Sequence, residues 1–382
     1  MNKNRVGVSL ERLYAILLLV SAGGGAFLKS WTAPNRALST WDEAIYYTVA
    51  ERVLDGRWLL PQFIGRDHQL APVDPFLHKP PLVYWLHAAG MRLLGETPAS
   101  ARLVSALATV TIAVLVVALA YRLSGPLSAT LSVAGLAVVP GLYGTHAGNN
   151  IATDPFILAF ALGAIYAYVR VADSEGRASW MWAAVAGVAG GFAVLSKGPA
   201  VGPIALGCLP LVWVLRTRVT PRQTLLTVVA AVATAAPWFL VVGMLAGDQL
   251  LNQMLLSQTV ARATGAMFIE NPGTFGFMRY PYFRTAPEYI GLLWWATPVL
   301  LIGGLWRLRT SSEWRDVVLW AITLGVGLSV GLIYVVAGNH PWYWLPVVPM
   351  IVLGTASLAA HLLRLCIDVT VTSFALWSRS SW

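Results

Sequence analysis

The chain has 382 residues, of which 57% are hydrophobic and 11% are charged, and its mean hydropathy is +0.66. An ordinary soluble domain carries about a quarter charged residues, so this chain has too few charges to cover a water-facing surface. Its formal charge of +9 comes without basic runs interleaved with aromatics, which argues against nucleic acid and for contact with lipid headgroups.

Ten apolar runs are long enough to be candidate transmembrane helices, which predicts an all-α polytopic membrane protein. They cover residues 13–28, 99–123, 127–143, 155–171, 180–195, 201–215, 225–245, 290–305, 317–336 and 342–363. A bundle of spanning helices packs as one body, so we expect residues 1–382 to form a single transmembrane domain.

The arginine clusters predict the orientation of these helices. If the spans alternate, the clusters fall on one side, which the positive-inside rule makes the cytoplasm. They are Arg5, Arg122, Arg170 with Arg177, Arg216 with Arg218 and Arg222, Arg307 with Arg309 and Arg315, and Arg364. Both termini, with a short tail at about 365–382, are then expected in the cytoplasm. The long loops at about 29–98 and 247–287 are expected on the outer face of the plasma membrane.

The first outer loop contains two predicted juxtamembrane helices. Thr40 and Glu43 have the spacing of a capping box, and apolar residues over 43–54 fall near one face of a helix that starts there. A second helix is predicted over 82–94, after Pro80-Pro81. We expect both to lie along the membrane surface.

Three acids stand at the outer ends of predicted spans. Asp42 and Glu43 are adjacent at a helix start, where their side chains diverge by about 100 degrees, so that one can face a cleft while the other caps the helix. Asp154 precedes the fourth span, on the same predicted face of the membrane. The alternative is that all three are ordinary helix caps, because acids are common at helix N-termini.

Cations accompany these acids against the usual charge bias. Lys79, Lys197 and Arg262 fall on the outer face, where they would suit an anionic ligand such as a lipid phosphate. Tyr343, in an aromatic turn, could donate a hydrogen bond to the same phosphate. Snorkelling to headgroups is the competing explanation for the lysines, and an interfacial aromatic belt is the competing explanation for Tyr343.

The order of these motifs resembles the GT-C fold of lipid-linked-sugar glycosyltransferases, in particular the group of dolichyl-phosphate-mannose protein mannosyltransferases and lipid A aminoarabinose transferases. The resemblance covers roughly residues 41–349. The motifs are Trp41-Asp42-Glu43 with Tyr46, Lys79-Pro80-Pro81 then Tyr84-Trp85-Leu86, Ser100-Ala101-Arg102-Leu103, Thr153-Asp154-Pro155, Leu195-Ser196-Lys197-Gly198-Pro199, and Tyr343-Trp344-Leu345-Pro346 with Pro349.

The resemblance implies an inverting transferase that moves a sugar from a polyprenyl phosphate to a lipid, protein or glycan acceptor on the outer face. Asp42 and Asp154 match the family's acids, one of which would orient or deprotonate the acceptor. By the same resemblance, Lys79, Lys197, Arg262 and Tyr343 match contacts of the donor phosphate, and Glu43 joins the catalytic candidates.

Two departures from the family pattern affect individual contacts. Asn339-His340 stands where many relatives have a basic residue, and His78 replaces an acid beside the lysine of the lipid A enzyme. A metal contact suggested there does not transfer, so the sequence assigns no cofactor: a divalent metal is compatible with it but is not indicated by it. The chain also stops soon after Arg364, where relatives often continue.

Two other functions remain as alternatives. A transporter or flippase would use many helices containing proline and glycine, although transporters usually place ionisable residues near mid-membrane. A non-catalytic relative that only binds polyprenyl lipid is the third hypothesis.

Overall fold

The computed structural model describes residues 3–38, 41–64, 72–260, 286–337 and 341–380, and these are almost entirely helical. The helices, numbered in chain order, are α1 Lys3–Ser30, α2 Trp41–Leu54, α3 Leu82–Leu94, α4 Pro98–Ser124, α5 Pro126–Val138, α6 Asp154–Ala172, α7 Gly176–Lys197, α8 Gly202–Gly207, α9 Leu209–Leu215, α10 Pro221–Leu250, α11 Thr297–Thr310, α12 Trp314–Ala337 and α13 Val348–Ser380. Short 3₁₀ segments at Gly198–Val201, Gly291–Ala296 and Pro341–Val347, and a π-helical segment at Leu251–Val260, extend them.

Within the described residues, eight helical segments are long and apolar enough to cross a membrane, and α5 is a shorter apolar helix. The all-α membrane fold is therefore confirmed. The count is lower than ten for two reasons. Residues 176–207 form one continuous helical run where two spans were expected, and α5 ends at Val138, well before the expected end of its span. The predicted juxtamembrane helices are present as α2 and α3.

The residues expected in loops are partly helical. The π-helical segment Leu251–Val260 continues α10 into the residues expected as the second outer loop, and α13 runs on through the residues expected as a tail. Helix starts follow ordinary capping chemistry: at α10, Thr220 and Gln223 form a capping box ahead of Pro221. Thr40, the proposed cap of α2, lies outside the described residues.

Small residues allow α7 and α10 to approach until their backbones touch. A Cβ atom on Gly187 would collide with the carbonyl oxygen of Thr227, and one on Gly191 would lie 2.7 Å from that of Ala231. Thr227 Oγ1 also donates a hydrogen bond across the contact to the Ala183 carbonyl. Apolar side chains gain little by leaving lipid for another helix, so close backbone packing of this kind drives association of helices in membranes.

The helix α6 connects two chemically different ends of the bundle. It begins at Asp154 and is followed by Asp173, and its 19 residues span about 28 Å, close to the thickness of a bilayer core. We call the end that holds Asp42, Asp154 and Lys197 the site end. The opposite end, which holds Arg122, Arg307, Arg315 and Arg364, is called the arginine end.

Candidate active site

Asp42 lies in the first turn of α2, where its carboxylate has two polar neighbours. Tyr46, one turn further along the same face, donates a hydrogen bond from its hydroxyl to Asp42 Oδ2 at 3.2 Å. His146 Nδ1, from the loop before α6, lies 3.6 Å from the same oxygen. The carboxylate remains partly exposed, so a substrate hydroxyl can reach it.

Lys79 reaches this cluster through Tyr46. Its ammonium group donates to the Tyr46 hydroxyl and lies 4.8 Å from the centre of the Tyr46 ring. Tyr46 therefore bridges a cation and an anion: it accepts a hydrogen bond from Lys79 and donates one to Asp42.

The charges around Asp42 keep it ionised. Burial raises the pKa of Asp42, but Lys79, His146, the Tyr46 hydrogen bond and Lys197 together outweigh burial and hold the pKa below its usual value. Burial and the Asp42 charge raise the pKa of Tyr46 well above 10, so the bridging hydroxyl keeps its proton.

Asp154 and Lys197 form a second buried pair at the same end. Lys197 Nζ donates to Asp154 Oδ1 at 2.5 Å, and the side chains are 11% and 5% exposed. Lys197 is the last α-helical residue of α7, because Gly198 takes a positive φ of 59° and the helical run continues from there as a 3₁₀ segment. The Tyr343 ring centre lies 6.0 Å from the same ammonium group.

The two pairs belong to one cluster, which we call the acid–lysine cluster: Asp42, Tyr46, Lys79, His146, Asp154 and Lys197. Burial lowers the pKa of His146, while Asp154 and Asp42 raise it and Lys197 and Lys79 lower it, with a net lowering. His146 is therefore mostly neutral near pH 7, and it lowers the pKa of Asp42 only through its protonated form, which is present at acid pH. It contacts Asp42 and interacts electrostatically with Lys79, Asp154 and Lys197.

Contacts between loops bring the two lysines together. Gly198, next to Lys197, lies against Pro80, next to Lys79: a Cβ on Gly198 would be 3.3 Å from Pro80 Cδ. The loop that carries Lys79 is also held by Gln253 of the π-helical segment. The Gln253 side chain accepts from Leu77 N at 2.7 Å and donates to the Pro75 carbonyl at 2.9 Å.

Glu43 points away from the acid–lysine cluster. Arg102 donates to both of its carboxylate oxygens, at 2.9 and 3.0 Å, Arg36 donates to one at 3.0 Å, and Ile151 N donates to the other at 3.1 Å. Both Glu43 and Arg102 are almost completely buried. The expected divergence of Asp42 and Glu43 is present, and Glu43 is an ion-pair partner in the interior instead of a cleft residue, while Thr40, its predicted capping-box partner, lies outside the described residues.

Arg102 connects this interior pair to the loop after α1. Its guanidinium donates to the backbone carbonyls of Pro34 and Arg36 at 2.7 Å and of Ala37 at 3.0 Å. We call Arg36, Glu43 and Arg102 the Glu43 network. It fixes the start of α2, and therefore the position of Asp42, relative to α4.

An apolar cavity of about 320 Å³ opens beside Lys197. It lies between the end of α7 and the end of α10. The residues that line it are Val194, Gly198, Pro199, Val201, Gly202, Phe239, Leu250, Met254 and Leu255. Its position next to the lysine suits a ligand with a charged head and an apolar chain.

The remaining site predictions have separate outcomes. Arg262 lies outside the described residues. Among the residues that are described, no group of three or more histidine, cysteine, aspartate or glutamate side chains is arranged to hold a metal ion. The two ammonium groups beside Asp42 and Asp154 are a poor environment for a divalent cation, so we derive no step through a metal.

Sequence reasoning missed two members of the site region. His146 gave a weak signal: it lies eight residues before Asp154, on the predicted outer turn. Gln253 gave none, because its role depends on a loop about 176 positions earlier in the chain.

Comparison with known proteins supports the resemblance on two grounds. Residues 78–241, which include Lys79, Asp154 and Lys197, match the family model described as dolichyl-phosphate-mannose-protein mannosyltransferase. A relative from Pseudomonas savastanoi, an undecaprenyl phosphate-α-4-amino-4-deoxy-L-arabinose arabinosyl transferase, is 30% identical over 227 residues, or 57% of this chain and 40% of its own length. The Edwardsiella ictaluri enzyme of the same name is 28% identical over 218 residues, or 55% of this chain and 37% of its own length.

Solved structures extend the similarity to the fold. ArnT from Cupriavidus metallidurans, bound to undecaprenyl phosphate, matches 93% of this chain and 63% of its own at a TM-score of 0.69 and 20% identity. The Archaeoglobus fulgidus oligosaccharyltransferase matches 94% of this chain and 52% of its own at a TM-score of 0.58 and 15% identity. The chain spans about 40% of the length of the curated relatives that it matches. The resemblance predicted from the motifs is thus confirmed: this is a multi-pass membrane protein similar in sequence over residues 78–241, and in fold over more than nine tenths of its length, to the GT-C glycosyltransferases of lipid-linked sugars.

Proposed function

We propose that this protein is an inverting glycosyltransferase that moves a sugar from a polyprenyl-phosphate donor to a lipid, protein or glycan acceptor. The observation that carries the proposal is the acid–lysine cluster: an ionised, partly exposed carboxylate and two ammonium groups at the end of a membrane bundle, beside an apolar cavity. These are the groups that the transfer of a sugar from a lipid phosphate needs.

In this mechanism Asp42 accepts the proton of the acceptor nucleophile. The nucleophile forms a bond to the anomeric carbon from the face opposite the phosphate, and the bond between that carbon and the phosphate oxygen breaks. The polyprenyl phosphate leaves with the bonding electrons. Lys79 and Lys197 stabilise the charge on its oxygens, with Tyr343 beside Lys197 and Arg262 as a further candidate.

Donor binding would also activate the base. Without donor, Lys79 is engaged with Tyr46 and holds the pKa of Asp42 low, which makes Asp42 a weak base. A donor phosphate adds negative charge beside Lys79 and offsets its effect on Asp42, so the pKa of Asp42 rises toward the working pH. Bases work best when their pKa lies near that pH.

Asp154 and Glu43 take supporting roles in this proposal. Asp154 holds Lys197, which directly precedes Gly198 in the wall of the apolar cavity, in position until the phosphate arrives. Glu43, the third acid predicted as catalytic, is assigned a positioning role because its carboxylate is bound to Arg36 and Arg102.

The site end is proposed to face the outside of the plasma membrane. The arginine end holds the charge that the positive-inside rule assigns to the cytoplasm. The end of α1 lies near Gly148 at the site end, and the chain continues from Tyr343, near Lys197, through α13 to Arg364 at the arginine end. Both termini would therefore be cytoplasmic.

Transfer of radiolabelled sugar from a panel of polyprenyl phosphates to a membrane extract tests the proposal. Because the curated relatives are named for undecaprenyl phosphate-α-4-amino-4-deoxy-L-arabinose, that donor is the first to try. Transfer by the wild-type protein, lost in Asp42→Asn, supports the enzyme. Donor binding without transfer favours a lipid-binding relative, and movement of the lipid between leaflets without transfer favours a flippase.

A further inference from the structure

The arginine end contains a polar cavity of about 500 Å³, on the opposite side of the bundle from the acid–lysine cluster. It lies where the end of α4, the end of α11, the start of α12 and the middle of α13 meet. Four arginines line it, one from each of these elements: Arg122, Arg307, Arg315 and Arg364.

Acidic partners hold three of these arginines in place without using all their donors. Asp173 pairs with Arg122 at 2.5 Å and with Arg315 at 3.3 Å, and Asp316 pairs with Arg307 at 2.6 Å. A guanidinium has five N–H donors in a planar fork, so a single carboxylate leaves several of them available to another anion.

The fourth arginine carries the uncompensated charge. Within the described part of the chain, Arg364 donates to the backbone carbonyl of Ser124 at 2.8 Å and has no carboxylate partner. The acids at the cavity are Asp173, Asp316 and Glu313, so four guanidinium groups face three carboxylates. The groups around the cavity therefore carry an excess of one positive charge.

Two helix starts add to the attraction for an anion. Gly125, which precedes the first residue of α5, lines the cavity, and so do residues of the first turn of α12. Helix N-termini present unbonded N–H groups and the positive end of the helix dipole.

The surroundings of the cavity fit a lipid better than a soluble molecule. Trp306 on α11 is 49% exposed, and Leu362, Leu363 and Leu365, on both sides of Arg364, are 44–49% exposed. These apolar surfaces are available to acyl chains, while the cavity lies at headgroup depth, about 28 Å along α6 from the site end. Basic pockets between membrane helices on the cytoplasmic side are typical sites for anionic headgroups.

We propose that this cavity is a second anion site, and that it binds the phosphate of an anionic membrane lipid by its four arginines. The site is independent of sugar transfer. An inorganic phosphate ion offers the same chemistry without acyl chains, and the experiment separates the two sources.

The test is a binding titration of the purified full chain in detergent, followed by native mass spectrometry. Phosphatidylglycerol is compared with phosphatidylcholine, and inorganic phosphate is added as a competitor. We expect one tightly bound phosphatidylglycerol per chain, little retention of phosphatidylcholine, and weak competition by inorganic phosphate. Strong competition would identify a free phosphate as the ligand instead of a lipid.

Variants of Arg364 locate the site, since this side chain is exposed and its loss leaves no buried acid unpaired. Arg364→Gln should weaken phosphatidylglycerol binding roughly fivefold, the usual effect of one basic residue at a membrane surface, and Arg364→Lys should restore most of it. Arg222→Gln removes an exposed arginine of the cluster at residues 216–222, outside the cavity, and should change nothing.

Besides strong competition by inorganic phosphate, three results would overturn the proposal: equal retention of the two lipids, unchanged binding in Arg364→Gln, or an equal loss in Arg222→Gln, which would indicate diffuse surface charge. Asp42→Asn should bind phosphatidylglycerol as the wild type does. The lipid site can therefore fail or stand whatever the outcome of the transfer assay.

Discussion

Asp42 and Glu43 are neighbours in the chain, but they belong to two regions that differ in burial and in how completely their charges are paired. Glu43 is buried and bound by two arginines and a backbone N–H, a network that holds α2 against α4. Asp42 is partly exposed and shares its two cationic neighbours, Lys79 and Lys197, with other groups. The difference teaches that charge pairs of similar length can serve stability in one place and remain available to a substrate in another.

The largest expected effect comes from a change at Asp42, in the partly exposed region. Asp42→Asn removes the proposed base without changing the size of the side chain, and should reduce sugar transfer by at least about 100-fold. Asp55→Asn, at the exposed end of the same helix, is the control and should keep full activity. If Asp42→Asn transfers sugar at the wild-type rate, Asp42 is not the base, and the contrast between a catalytic Asp42 and a structural Glu43 is wrong.

The next effect concerns the Glu43 network. Glu43→Gln leaves the buried Arg102 without its charge partner, which should cost about 3–5 kcal/mol in the free energy of unfolding. Denaturant unfolding in micelles measures it. Glu96→Gln, an exposed acid just before α4, should stay within about 0.5 kcal/mol of the wild type. If Glu43→Gln is as stable as the wild type but inactive, Glu43 has a catalytic role and not a structural one.

Lys79→Met should affect donor binding and the pH profile together. Loss of a charged hydrogen bond to phosphate should raise KM for the donor by about tenfold or more. Lys79 also lowers the pKa of Asp42, so its removal raises that pKa. Asp42 acts as a base only above its pKa, and the acid limb of kcat/KM should move to higher pH.

Lys29→Met is the matched control for this change. It removes another lysine near the site end, which contacts the Ala137 carbonyl and the Tyr143 ring, outside the acid–lysine cluster. An acid limb that shifts equally in both variants would show a general charge effect instead of a specific contact with Asp42.

The smallest expected effect tests how the Lys79 loop is positioned. Gln253→Ala removes the two hydrogen bonds to Leu77 and Pro75, each worth about 1 kcal/mol. KM for the donor should rise severalfold while kcat changes less, since Gln253 positions the loop and does not touch the reacting atoms. A loss confined to kcat would contradict this role.

The sequence predicted the membrane fold well because apolarity over about 20 residues is a local property. The helices α2 and α3 were also predictable, from the pattern of apolar residues over 43–54 and from Pro80-Pro81 ahead of the second helix. Ten spans were predicted but the described residues contain eight candidates, in part because residues 176–207 continue as one helical run through a Gly-Pro sequence that was interpreted as a boundary.

Site residues were predictable only where they belong to a recognisable sequence motif. Asp42, Asp154, Lys79 and Lys197 were selected from the sequence, and the structure gathers them in one cluster. The fate of Glu43 was not predictable, because it depends on Arg102, which lies 59 positions further along the chain. His146 enters the cluster through a turn with a positive φ of 61° that no local pattern announced.

The contact between α7 and α10 has a consequence for how a lipid would meet this protein. Because the two backbones touch at Gly187 and Gly191, α7 cannot roll or slide against its neighbour without a clash. The backbone of Lys197, at the end of α7, is therefore held in a fixed position. The packing of α7 against α10 thus sets the depth of the Lys197 ammonium group in the bilayer. A lipid whose phosphate lies at that depth can reach the ammonium group by lateral diffusion alone.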